Sequence, residues 1–196
     1  LPRFFFALAG VDSSDAYAGV GGIRELLVGV LVEPSMMLAL FVAALACGTT
    51  NVGLMGAQIA EGNVTSPVAF AMACYIELGK LPFDAAEAEQ EIQEGPLQEY
   101  SGTSLSMVKL SMSMKQILVI SWFVAIFLPF GSAATLAPMD LLVGAVLFLV
   151  KITVIGLICS IFENVVARVR WKLTGRQTWT VVGVAVMALV FVVLGI

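Results

Sequence analysis

The chain has 196 residues, of which 60% are hydrophobic and 12% charged, with no histidine and a formal net charge of −4. A soluble domain carries about a quarter charged residues, so this composition, with a mean hydropathy of +1.00, excludes an ordinary soluble domain. The absence of a basic stripe excludes nucleic acid as a partner. The apolar runs are continuous rather than alternating, which excludes a β-barrel and predicts an all-α, polytopic transmembrane helix bundle in the lipid bilayer.

In chain order, Leu1–Gly10 is apolar but too short to span, and it lacks a signal-peptide pattern. It reads as the end of an earlier membrane helix, with the chain as the C-terminal part of a longer protein. Gly19–Gly22 (GVGG) follows no strand and reads as a flexible turn into Arg24. Five spans follow, at Leu26–Ala46, Pro67–Phe83, Leu105–Leu128, Leu141–Phe162 and Gln177–Ile196, in one membrane domain of residues 1–196. Between the second and third lies the most distinctive segment, Gly79–Gly102. It holds Asp84, Glu87, Glu89, Glu91, Glu94 and Glu99, and after Lys80 no base.

Basic residues set the orientation. Arg24, Lys80, Arg168, Arg170, Lys172 and Arg176 fall on one side, whereas the loops Cys47–Ser66 and Pro129–Asp140 have neither Lys nor Arg. The acidic loop, residues 84–102, is therefore expected on the cytoplasmic face of the cell (inner) membrane. Cys47, Cys74 and Cys159 are widely separated and no CxxC occurs, so no metal site is expected in this chain, and the thiols read as packing residues.

Ionisable groups inside spans are costly and mark polar paths. Glu33 lies in the first span, about 10 Å along the helix from its start. Pro34 after it frees the carbonyl of Val30. Glu77 and Lys80 are three apart and can pair on one helix face. With Asp84, Glu87, Glu91 and Glu94 they step by three and four, one titratable stripe if the helix runs on past Pro82; otherwise the run is a solvated face. Crowded carboxylates raise one another's proton affinity. Lys115 and Lys151 lie near the middle of the third and fourth spans. Glu163, at the end of the fourth, joins the polar path or pairs with Arg168 and Arg170 at the interface. The candidate proton path is thus Glu33, Glu77, Lys115, Lys151 and Glu163. The candidate docking or coupling loop comprises Arg24, Lys80, Asp84, Glu87, Glu89, Glu91, Glu94 and Glu99. No residue is assigned a catalytic role.

The segment KLPFDAAEAEQEIQEGPLQEYSG at Lys80–Gly102 resembles the loop signature of the complex I subunit 1 family of NADH-quinone oxidoreductases, which has APFD, EAE and EYSG segments in that order. GKLPFD, EAEQE and EGP are more similar to the homologous membrane subunit of energy-converting group 4 NiFe-hydrogenases, of the formate hydrogenlyase subunit 4 and hydrogenase-4 component C type. GGIRELLVGVLVEP and ENVVARVRW resemble segments of the same group. Members usually have eight membrane helices, so the resemblance implies that this chain matches the last five.

The resemblance further implies a non-redox subunit without cofactors of its own. It would join hydrogenase large and small peripheral subunits, carrying the NiFe centre and iron–sulfur clusters, to antiporter-like membrane subunits, and couple electron transfer to proton or ion translocation. The family's functional acids fall on Glu33, Glu77, Asp84, Glu87, Glu89, Glu91 and Glu99, beside Arg24. The alternatives are the quinone-site membrane subunit of NADH-quinone oxidoreductase, disfavoured by Gly79-Lys80-Leu81 before PFD, and a purely structural membrane anchor.

Overall fold

A computed structural model describes residues 2–60, 67–133, 137–167 and 171–194, and every regular element among them is helical. The chain opens with an antiparallel hairpin of α1 (Pro2–Asp12) and α2 (Ala16–Cys47). Asp15 starts α2 as its N-cap, its carboxylate accepting from the amides of Tyr17 at 2.8 Å and Ala18 at 2.9 Å. The two helices meet through small residues. A Cβ added at Gly22 would lie 2.7 Å from the carbonyl oxygen of Ala7. GVGG is therefore not a turn: it lies inside α2, and its glycines permit close backbone approach. The helix runs on through Pro34 and ends at Gly48, whose φ of +61° suits glycine.

The buried stripe of α2 is Val28, Val32, Met36, Ala39, Ala43 and Cys47, with steps of three and four residues. Against it pack α4 (Pro67–Glu77) and α8 (Trp171–Leu194). The seam on α8 is Thr174, Thr178, Val181, Ala185 and Ala188, alternating steps of four and three. The short α3 (Val52–Ala60) packs on α6 (Gly102–Phe127), which α4 also contacts. Phe70 of α4, fully buried, lies 6.5 Å from the Phe123 ring and 5.4 Å from that of Phe127. At the other end of α4, the Gln116 side chain donates to the Leu78 carbonyl at 2.9 Å. These contacts make α4 antiparallel to α6. The remaining long helix, α7 (Pro138–Val165), packs mainly against α6 and has no buried residue.

Among the described residues, four helices are long and apolar enough to cross a membrane: α2, α6, α7 and Thr174–Leu194 of α8. The expected second span, Pro67–Phe83, is corrected. Its helix stops at Glu77, and Gly79 takes a left-handed φ of +64°. Eleven helical residues cover about 16 Å, roughly half of a hydrocarbon core about 30 Å thick. The other spans begin before the expected bounds: α2 at Ala16 rather than Leu26, α6 at Gly102 rather than Leu105, α7 at Pro138 rather than Leu141 and α8 at Trp171 rather than Gln177.

The acidic segment is folded and pinned. It contains α5 (Glu89–Ile92) and a 3-10 turn at Gly95–Glu99. Pro96 occupies a notch made by two glycines. A Cβ at Gly21 would lie 2.6 Å from Pro96 Cδ, and one at Gly10 would lie 3.0 Å from Pro96 Cγ. The Gln98 amide donates to the Asp15 carboxylate, and Arg24 pairs with Glu91 at 2.6 Å. The segment thus lies against α1 and α2.

Candidate functional site

Four ionisable side chains from four helices meet in the interior. Arg3 comes from α1, Glu25 from α2, Glu77 from the last turn of α4 and Lys115 from the middle of α6. Arg3 Nη2 lies 2.7 Å from Glu77 Oε2, and Arg3 Nε lies 3.0 Å from Glu77 Oε1. Only the Nε contact has hydrogen-bond geometry; the Nη2 contact is a close ion pair, and the buried Glu77 Oε2 accepts no hydrogen bond among the described residues. Arg3 Nε also lies 3.4 Å from Glu25 Oε1. Lys115 Nζ closes the set, 3.3 Å from Glu77 Oε1 and 3.7 Å from Glu25 Oε1. The side chains of Arg3 and Glu77 are 5% and 9% exposed. Buried charges need partners to offset desolvation. With two cations and two carboxylates, the ionised cluster is neutral.

Glycine makes room for it. Glu25, Gly29 and Glu33 occur at steps of four along one face of α2. A Cβ at Gly29 would lie 3.1 Å from Arg3 Cδ, so the Arg3 side chain lies across the bare backbone between the two acids. Glu33 lines a groove between α1 and α2 with Arg3, Phe4, Leu26 and Pro34. Its charge acts on Arg3.

On the other side, the cluster opens on a chamber of about 70 Å³ between Arg3, Glu25 and Lys115 and the start of the acidic segment, Phe83 to Glu87. That exceeds the roughly 15 Å³ a cavity needs to hold a water, so the chamber has room for water beside these groups. Glu87 holds its proton to about pH 7, first because burial penalises its charged form and next because Glu25 repels it. Asp84 adds to that repulsion, whereas Lys80 and Lys115 oppose it. A carboxyl with this affinity exchanges protons near neutrality.

The structure therefore brings together Glu77 and Lys115 of the expected path, with Glu33 adjacent and Asp84 and Glu87 across the chamber. Other residues lie elsewhere. Lys151 reaches the carboxyl end of α6, where Nζ donates to the carbonyls of Leu128 (2.7 Å) and Phe130 and sits 4.3 Å over the Phe130 ring. That end is about 20 Å from Lys115 along α6. Glu163 pairs with Lys80 at 3.7 Å; Arg168 and Arg170 lie outside the described residues. The expected Glu77–Lys80 pair is corrected, because α4 ends between them and each turns to another helix. The single stripe from Glu77 to Glu94 is corrected for the same reason, since residues 78–88 are not helical. Glu91 and Glu99 are exposed, and Glu94 takes a φ of +67° beside the 3-10 turn. The side chain of Glu89 lies outside the described ones.

Sequence reasoning missed Arg3 and Glu25. Arg3 was legible as a lone cation in an apolar run, and Glu25 through the Glu25-x3-Gly29-x3-Glu33 spacing.

The family model described as NADH dehydrogenase matches residues 1–194. The chain is 46% identical to hydrogenase-4 component C of Escherichia coli (strain K12) over 200 aligned residues, covering 99% of this chain and 64% of that protein. It is 42% identical to formate hydrogenlyase subunit 4 of the same organism, covering 97% of this chain and 64% of the relative. It thus spans about 64% of the length of these curated relatives. A solved structure of the membrane-bound sulfane sulfur reductase, an archaeal respiratory membrane complex, superposes with a TM-score of 0.73 at 21% identity. That match covers 95% of this chain and 64% of the other, and it shows a shared fold. From the family match along its length and these identities, the chain belongs to the NADH dehydrogenase family, as a membrane protein related to subunits of oxidoreductase complexes.

Proposed function

We propose that this chain is the non-redox membrane subunit of an energy-converting hydrogenase, anchoring a peripheral electron-transfer arm and coupling it to proton translocation. The observation that carries this reading is the buried cluster Arg3–Glu25–Glu77–Lys115 and the chamber that joins it to Asp84 and Glu87. A purely structural anchor has no use for four charges in its interior, where desolvation is costly. A site that stores and passes a proton needs such a set. When Glu87 gains or loses its proton, the charge changes at the mouth of a chamber walled by Glu25 and Lys115. Those two groups are bonded through the cluster to Glu77 and Arg3, and Arg3 faces Glu33.

Arg24 pairs with Glu91 of the acidic segment and Lys80 opens that segment, and basic residues beside the ends of spans support a cytoplasmic position in the inner membrane. There a peripheral arm bearing the NiFe centre and iron–sulfur clusters would dock, with antiporter-like subunits alongside in the bilayer. Its pinning by Pro96 and Arg24 supports transmission, because a fixed segment passes a displacement to the helices it touches. The hydrogenase-type relatives favour hydrogen chemistry over quinone reduction. The test is to purify the intact complex through this chain. The expected result is nickel in the preparation, hydrogen activity insensitive to quinone-site inhibitors, and a Gln93→Cys thiol labelled from the cytoplasm alone. A nickel-free complex stopped by such an inhibitor would overturn the hydrogenase assignment.

A further inference from the structure

Leu78, Gly79, Phe83 and Asp84 form one wall of the chamber, and the segment that carries them, Leu78 to Asp84, leaves α4 through a left-handed glycine at Gly79. No helix of its own holds it. What holds it comes from neighbours. Gln116 of α6 bonds the Leu78 carbonyl, and the Tyr75 hydroxyl donates to the Leu81 carbonyl. Tyr75 is itself braced: its ring meets Phe83 at 6.2 Å and Phe162 of α7 at 5.1 Å, the latter with ring planes at 90°. One residue on, Glu163 pairs with Lys80. Adjacent residues of α7 thus grip both the brace and the segment. α7 has no buried residue along its whole length. An acid at this point, joined to the wall through Lys80, is more specific than packing demands.

We propose that Glu163 is a positioning residue for the chamber. Through Lys80, and with Phe162 against Tyr75, it fixes the wall that carries Asp84 and leads to Glu87. The groove behind this wall is lined by Lys80, Glu87, Glu94, Lys109, Ser113 and Gln116. Lys80 held by Glu163 is therefore kept at a set place among the groups that face Glu87. Those groups are Glu25 from α2, Asp84 and Glu94 from the acidic segment, and Lys109 and Lys115 from α6. The inference deepens the coupling reading above and rests on it only for the second readout below.

The experiment uses the intact complex carrying Ala85→Cys as a reporter. Ala85 is 9% exposed and lines the chamber. Peptide-resolved maleimide labelling at residue 85 reports opening of the wall, and proton translocation per hydrogen turned over reports coupling. The changes are Glu163→Gln, Lys80→Gln and the exchanged pair Lys80→Glu with Glu163→Lys. The pair is partly exposed, at 40% and 27% of the two side chains, so each single change is expected to speed labelling by roughly two- to fivefold. Each is also expected to lower coupling, and the exchange to bring both readouts back towards the parent.

Unchanged labelling in both single variants overturns the proposal, as does an exchanged pair no better than either single change. If labelling responds and is rescued while coupling never moves, the positioning role stands and the proton role of the chamber fails. Should a single change prevent assembly, assembly regained in the exchanged pair supports the proposal and assembly still lost overturns it.

Discussion

Replacing Glu77 with Gln and Lys115 with Met, singly and together, measures how strongly the buried cluster is bonded. The two charged groups lie 3.3 Å apart, which gives about 5 kcal/mol of attraction at an effective dielectric of 20. The net coupling is smaller for two reasons visible in the geometry. Lys115 keeps Glu25 at 3.7 Å when Glu77 is neutralised, and the Lys115 side chain is 23% exposed, so solvent screens part of the attraction.

Glu77→Gln alone leaves Arg3 and Lys115 sharing one carboxylate, and it should cost about 3–5 kcal/mol, the usual range for breaking a buried pair. Lys115→Met alone leaves one excess negative charge that Arg3 partly offsets, and it should cost less. The double variant restores neutrality among Arg3, Glu25 and two uncharged side chains. It should be more stable than the sum of the single effects predicts, by about 2 kcal/mol, within the range of contacting pairs. Unfolding titrations in mixed detergent micelles for the parent and three variants close the cycle. Effects that add to within about 0.5 kcal/mol, as for distant independent sites, would refute a bonded cluster.

Three further outcomes follow from particular contacts. The carboxyl infrared band of Glu87 should titrate with a midpoint of about pH 7 against an ordinary value of 4.5 and be missing in Glu87→Gln. Because the folded state binds this proton more tightly than the unfolded state, its contribution to stability is complete below pH 4.5 and lost as pH rises through 7, a slope that Glu87→Gln should remove. Gly21→Ala places a methyl 2.6 Å from Pro96 Cδ and 2.8 Å from the Ala86 carbonyl oxygen. It should cost about 1–3 kcal/mol by overpacking and increase proteolysis within the acidic segment, whereas Gly19→Ala, where a Cβ meets nothing within 4 Å, should do neither. Lys151→Met removes the donor to two carbonyls at the end of α6 and should lower the unfolding temperature, at a cost of about 1.5–3 kcal/mol for a charged hydrogen bond; Lys151→Arg should recover much of it.

The long spans were legible because twenty or so apolar residues in a row have one physical solution in a bilayer. The failure at Pro67–Phe83 is instructive. Leu81, Pro82 and Phe83 prolong the apolar run in composition, but Gly79 at φ +64° has already turned the chain out of the helix. Periodicity then joined residues that the fold separates, so Glu77 was paired locally with Lys80. Its actual partner Arg3 is 74 residues away, and no local pattern encodes that distance. GVGG misled in another way. Glycine in sequence suggests a turn, but here it gives way to Pro96 and Ala7, contacts that exist only once helices pack. Glu33 and Lys115 were found because any charge in an apolar span demands a partner. The same rule applied to Arg3 would have completed the site.

The central claim is that the cluster serves proton translocation rather than packing. The most direct test reconstitutes the complex in sealed vesicles and measures protons moved per hydrogen turned over for Glu77→Gln, Glu33→Gln and the loop control Glu61→Gln, which lies outside the described residues. Glutamine keeps the shape and removes the ionisable carboxyl. The account predicts that Glu77→Gln and Glu33→Gln retain assembly and hydrogen chemistry with artificial donors while the proton ratio falls sharply, and that Glu61→Gln matches the parent. If Glu77→Gln and Glu33→Gln translocate protons as well as Glu61→Gln does, the claim is wrong.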